Sequence, residues 1–192
     1  NLGGTGINIG ANTSGTGTAV GSGAPGAAAT GTNSIAVGAQ SEATVDGAIA
    51  IGVEAKVTTG TESVAVGHLA TANGIDSVGV GMTAHADGLR SIAIGREADA
   101  LGIDSTVVGT GAKILVGDDG SIAVGRAAKA ADNAIIIGTL ANPAVGPPFG
   151  AGSIGIGNGL SFEGSSSPVR CIIGSPVTQP ITKLVVRNAS PA

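Results

Sequence analysis

One pentapeptide governs the chain. Ser34-Ile35-Ala36-Val37-Gly38 returns as Ala48-Ile49-Ala50-Ile51-Gly52, Ser63-Val64-Ala65-Val66-Gly67, Ser77-Val78-Gly79-Val80-Gly81, Ser91-Ile92-Ala93-Ile94-Gly95 and Ser121-Ile122-Ala123-Val124-Gly125. Looser copies end at Gly10, Gly21, Gly109, Gly138, Gly157 and Gly174, giving twelve glycines each preceded by Ile or Val. From Gly38 to Gly109 the steps are 14, 15, 14, 14 and 14 residues. A short fixed period over most of a chain signals a solenoid, in which each repeat buries its apolar surface only against its neighbours.

The rest of each period fits two strands per coil. A second extended piece begins three residues after the glycine: Ala55-Lys56-Val57, Ala70-Thr71-Ala72, Ala84-His85-Ala86, Ala98-Asp99-Ala100, Ala112-Lys113-Ile114 and Ala128-Lys129-Ala130. Both pieces alternate with period two, as strands do. The repeat glycine, and often a second one (Gly60, Gly74, Gly88, Gly102, Gly120), supplies turns where φ is positive. A helix would lose about 1 kcal/mol at each glycine relative to alanine. The expected fold is all-β, a parallel β-roll of about 14-residue coils, stacked roughly 4.8 Å apart.

Composition bounds the function. Glycine supplies 35 of 192 residues, Phe149 and Phe162 are the only aromatics, and charged residues are 11%. The large aliphatics are thinly spread, so a single chain has a narrow core and points to burial against other chains. The net charge of −4 and the lack of a Lys/Arg run argue against a nucleic-acid partner. Cys171 is the only cysteine, so no intrachain disulfide can form. The sequence opens on Asn1 with no leader and no long apolar run, which reads as a fragment or processed product that does not itself insert into a membrane.

Three regions follow. Residues 1–33 are expected to form irregular first coils, with Ile7-Asn8-Ile9-Gly10 and Thr18-Ala19-Val20-Gly21 as weak copies and Gly23–Gly31 as a bulging insertion. Residues 34–140 are the regular roll. Residues 141–192 form irregular last coils and a capping or connecting segment. There Pro143, Pro147 and Pro148 mark a loop, Ile154 and Cys171 stand where Ile35 stands, and Ile181–Arg187 reads as a strand of another kind.

Alternation divides the first strand into two faces. Ile35, Val37, Ile49, Ile51, Val64, Val66, Val78, Val80, Ile92, Ile94, Ile122, Val124, Ile135 and Ile137 share one face, taken as the core of the roll. Ala36, Ala50, Ala65, Gly79, Ala93 and Ala123 share the other. A column of small apolar residues lets sheets of neighbouring chains approach closely, so these six are expected at a contact between chains. On that assignment Ala65→Glu and Ala93→Glu should dissociate the assembly, and Lys113→Glu should not.

The pattern Asn/Ser/Asp-Ser-Ile/Val-Ala-Ile/Val-Gly, then x-x-Ala-x-Ala and a turn glycine, resembles the head repeats of trimeric autotransporter adhesins of the YadA-like type. The match is strong over 34–140 and weak over 1–33 and 141–178. The resemblance implies a left-handed roll, three rolls side by side as a homotrimer, and attachment to host extracellular-matrix or cell-surface ligands. It implies an extracellular site on an outer-membrane-anchored fibre. No heptads or anchor strands follow Gly174, which leaves open a trimeric phage tail fibre or capsid decoration on a virion surface.

No catalytic set is evident and no cofactor is implied. His68 and His85 occupy different columns and read as surface or packing histidines. Cys171 lies in the presumed core column and reads as an inert buried thiol. Asp118-Asp119-Gly120 occurs once, whereas calcium-binding rolls repeat their aspartates in every turn. A sugar-cleaving enzyme would need paired carboxylates about 5–9 Å apart in a groove, and the near-absence of aromatics speaks against it.

Stacking also creates charged columns. Glu62, Asp76, Arg90 and Asp104 precede the serine column, and Asp76–Arg90–Asp104 is predicted to form a rung-to-rung salt ladder. Lys56, Thr71, His85, Asp99, Lys113 and Lys129 form a second column, and Arg96 and Arg126 each follow a repeat glycine. Ligands, if bound, are expected to use the repeated columns marked by Arg90, Arg96, Lys113, Arg126 and Lys129, where weak contacts multiply.

Overall fold

The structure, a computed structural model, describes residues 8–9, 17–21, 26–131, 133–139, 154–157 and 171–173. It is a parallel β-solenoid. The front of each coil is a three-residue strand: Ile35–Val37, Ile49–Ile51, Val64–Val66, Val78–Val80, Ile92–Ile94, Thr106–Val108, Ile122–Val124, Ile135–Ile137, Ile154–Ile156 and Cys171–Ile173. These pair in parallel in the predicted register, with Ala36 opposite Ala50, Ala50 opposite Ala65, and Ala93 opposite both Gly79 and Val107. The back is built from two-residue strands, including Glu42–Ala43, Lys56–Val57, His85–Ala86, Asp99–Ala100, Lys113–Ile114 and Lys129–Ala130. Thr71 bridges Lys56 to His85 and makes the back column continuous.

The first coil departs from expectation. Asn8–Ile9 is not a coil copy; it runs antiparallel to Thr18–Gly21, with Asn8 opposite Gly21 and Ile9 opposite Val20. The step of 11 residues is too short for a complete coil, but long enough for a hairpin. Ala28–Ala29, inside the presumed insertion, is the back strand of the first coil and pairs with Glu42–Ala43. The proline loop and the Ile181–Arg187 segment lie outside the described residues.

The two faces of the front strand are the reverse of the sequence reading. Ala36, Ala50, Ala65, Ala93 and Ala123 are fully buried inside the single roll, and Gly79 is buried with them. They therefore do not form an outer contact column. The residues assigned to the core face outward. Ile35 is 37% exposed and Ile94 41%; Ile51 and Ile137 are also exposed. Val37, Ile49, Val64, Val66, Val78, Val80, Ile92, Ile122, Val124 and Ile135 are half-buried on the same side.

The physical reason is the width of the coil. Front and back strands lie so close that a Cβ added at Gly79 would fall 2.5 Å from the Thr71 carbonyl oxygen on the opposite strand. A slot this narrow holds about four small side chains per coil, such as Ser91, Ala93, Ala98 and Ala100, all fully buried. Two columns of isoleucine could not enter it without overpacking. Among the described residues only Val57, Val107, Ile114 and Ile136 bring larger fully buried side chains.

Turns hold the coils in register. A Cβ on Gly95 (φ +134°) would meet the Gly109 carbonyl oxygen of the next coil at 2.6 Å. The repeat glycine is thus required by close stacking as well as by φ. Two further corners use the left-handed region with ordinary residues. One column contains Asn33, Glu62, Asp76, Arg90, Asp104 and Asn133; the other contains Gln40, Glu54, Leu69, Thr83, Glu97 and Ala127. Their backbone amides donate to the preceding coil, as Arg90 does to the Ile75 carbonyl at 2.8 Å and Glu97 to the Met82 carbonyl at 2.9 Å. That ladder offsets the conformational cost.

Candidate interaction surface

A coil with a filled interior presents everything else to its surroundings. The front face is a ribbon of Ile and Val, interrupted by Thr106, running from Ile35 to Ile156 over nine rungs. At about 4.8 Å per rung and about 3.3 Å per residue it measures roughly 400 Å² in projection. A contiguous apolar patch of that size matches the largest on an ordinary monomer, about 300–600 Å², which is often functional. Exposed Val53 and Met82 extend it at the corner after the repeat glycine.

The opposite edge carries a second apolar ridge that the repeat pattern did not bring out. Ile75 and Ile103 are exposed there, with Leu89 half-buried between them. The longer step between Gly109 and Gly125 inserts Leu115 and Val116 beside it, and Val116 is 81% exposed. The signal was available in sequence as Gly74-Ile75, Gly88-Leu89 and Gly102-Ile103, an aliphatic residue after three successive second-turn glycines.

The back face is polar. Its outward column is the one predicted, with His85 opposite Asp99, Asp99 opposite Lys113, and Lys113 opposite Lys129. Asp99 is gripped from both sides: His85 Nδ1 lies 2.9 Å from its Oδ1, and Lys113 Nζ pairs with Oδ2. Lys56 pairs with Glu42 at 3.1 Å. The predicted salt ladder is formed on one side. Arg90 holds Asp104 through two hydrogen bonds of 2.6 and 2.7 Å, whereas Asp76 reaches Arg90 only by longer-range attraction. This pairing holds the Asp104 carboxyl below the usual carboxylate range and raises the Arg90 guanidinium further.

The five cations singled out from the sequence are thus of two kinds. Arg90, Lys113 and Arg96 each hold a carboxylate, the last being Glu97 at 3.5 Å. Arg126 and Lys129 are exposed and hold no ion pair among the described residues.

Other candidate groups have structural partners. Asp119 accepts the Ile103 backbone N–H at 2.8 Å, joining one turn to the previous coil. Asp46 does the same for Thr32 at 2.8 Å, which lowers its carboxyl pKa. Among the described residues no three His, Cys, Asp or Glu side chains gather as a metal site. His68 is exposed and in a different column from His85. Cys171 keeps the register of Ile154; its side chain, and with it the reading of a buried thiol, lies outside the described residues.

A parallel roll with 14-residue coils, a small-residue interior and an aliphatic outer ribbon defines a parallel β-solenoid. Residues 29–55, 59–84, 72–98 and 86–112 match the family model of the YadA head domain repeat, so the chain carries YadA-like head repeats. Among solved structures it resembles the collagen-binding domain of the Yersinia adhesin YadA, with a TM-score of 0.51 and 22% sequence identity, over 94% of this chain and 78% of that one. At that identity the likeness is one of fold. No curated protein sequence matches the chain.

Proposed function

We propose that this chain is a non-enzymatic adhesive head module of a trimeric fibre displayed outside the cell. Three rolls pack side by side through their front faces, and the polar back faces and edges meet ligands of the extracellular matrix or cell surface. The observation that carries the reading is the outward ribbon of Ile and Val. It is a regular, rung-by-rung apolar surface on a roll whose own interior is already full. Burying that ribbon between copies removes it from water at about 25 cal/mol per Å². The YadA head repeats support a head module, and the solved YadA domain named for collagen binding makes a matrix protein the first ligand class to try.

The experiment has two arms. Sedimentation should give a mass of three chains, and particles coated with the chain should attach to immobilised matrix proteins, collagen among them. A stable monomer with its front face in water would remove the assembly. A trimer that adheres to no matrix or cell surface would remove the adhesive role and return attention to a fibre or decoration protein.

A further inference from the structure

We infer that the edge formed by Arg126, Lys129 and Lys113 is a docking surface for a sulfated polysaccharide, a ligand class within the adhesive reading above and resting on it. Six described Lys and Arg side chains decorate the roll. Four are neutralised locally: Lys56 by Glu42, Arg90 by Asp104, Arg96 by Glu97 and Lys113 by Asp99. Arg126 and Lys129 are the two without an ion pair among the described residues, and they stand on the same coil, three residues apart. Lys129 is in register with Lys113 one rung away. Thr110 and Gly111 hold the positions of Arg126 and Ala127 one rung earlier. On these two coils, the corner after the repeat glycine and the back strand therefore carry no carboxylate.

Charge placement argues for a ligand. The chain as a whole is at −4, so a polyanion is repelled by the average surface. A local excess of cations can hold one only where acidic neighbours have been left out, and this edge is that place. Lys113 keeps its link to Asp99, on the side away from Lys129, so the positive charge of this edge rests on Arg126 and Lys129. Each roll of a fibre repeats that pair, and separated pairs of cations suit an extended chain of repeated sulfates better than a single phosphate. With three rolls in one fibre, three such pairs act together, and weak contacts gain by multivalency.

The test uses immobilised heparin, heparin stripped of its sulfates, and the whole chain. The wild-type chain should be retained on heparin at low salt and released as salt rises, because exposed charge contacts are screened. The double variant Arg126→Ala/Lys129→Ala should bind about tenfold more weakly or worse, the ordinary loss for two charge contacts. Lys56→Ala, whose cation is already paired, should match wild type. Thermal melting confirms that each variant is folded.

Equal retention on the desulfated matrix would overturn the assignment, as would an unchanged double variant. So would full competition by double-stranded DNA or phosphatidylserine vesicles at equal charge. Particles carrying the chain separate this from the broader reading. If they attach to collagen or to cells lacking sulfated glycans while ignoring heparin, the ligand class fails and the adhesive head stands. If they attach to nothing, both fail.

Discussion

Arg90 donates through Nε and Nη2 to the two carboxylate oxygens of Asp104, one rung away, at 2.6 and 2.7 Å. Both residues are in the left-handed region, at φ 54° and 55°. Successive coils superpose their corners, so two residues 14 positions apart in sequence become neighbours with the same backbone shape. The ion pair results from the repeat and not from a local turn.

That pair sets a pH dependence. The Asp104 carboxyl is depressed in the folded chain, first by the Arg90 hydrogen bonds. Its contribution to stability is therefore present above the unfolded carboxylate pKa and lost as pH falls through the lower folded value. In an NMR titration Asp104 should titrate below a typical aspartate, and Arg90→Gln should bring it back. Because both side chains are about half exposed, the shift should shrink in 1 M salt. An Asp104 titration unmoved by Arg90→Gln would contradict the pairing.

The two kinds of glycine should respond differently to alanine. Gly111 has φ +65° and nothing within 4 Å of an added Cβ. Gly111→Ala should cost only the left-handed backbone term, about 1 kcal/mol. Gly95→Ala adds a clash with the Gly109 carbonyl to a φ that side chains rarely adopt, and should cost at least about 3 kcal/mol. Urea unfolding of the two variants measures the difference; equal costs would mean that the coils are not stacked as closely as described.

Neighbouring residues of one strand should separate folding from assembly. Ala93→Leu places a larger side chain in the filled interior and should lower stability by about 1–3 kcal/mol. Ala93→Glu should unfold its coil and not merely dissociate copies, the opposite of the sequence expectation. Ile94→Gln, on the outer ribbon, should leave the far-ultraviolet spectrum intact and weaken the trimer. Circular dichroism paired with sedimentation distinguishes these outcomes. If Ile94→Gln unfolded the chain and Ala93→Leu did not, the inside–outside assignment would be reversed.

Ile114 and Ile136 are the largest fully buried side chains among the described residues, in a slot otherwise lined mostly by Ala and Ser. Removal of the Ile114 side chain leaves a cavity that stacked rungs cannot easily close. Ile114→Ala should cost about 2–5 kcal/mol, against less than about 1.5 for Ile114→Val. Thermal and denaturant unfolding check the ratio.

Much of this architecture was legible in the chain. The spacing of Gly38, Gly52, Gly67, Gly81, Gly95 and Gly109 told the coil length, and period-two alternation placed both strands and their register. The back column from Lys56 to Lys129 was readable because equal spacing stacks equal positions. The direction of the front strand's two faces was not. Alternation states that Ile35 and Ala36 face opposite ways, and hydrophobicity then favours isoleucine inside. The slot width that reverses this is a distance between two strands, and no single strand contains it. Likewise, the left-handed corners at Glu62 and Arg90 are occupied by residues with no special preference for that conformation. Asn33, Asn133 and the glycines at 47 and 120 in the same column were the available sign.

The sequence alone determined that the chain winds, how many residues make a turn of the winding, and which positions lie above one another. Those properties depend on period, and period is a one-dimensional quantity. The tertiary structure decided which aliphatic residues the roll keeps and which it offers to other molecules, and which cations are left unpaired. Both depend on the gap between facing backbones and on the neighbours brought in by stacking, which exist only once the coil has closed.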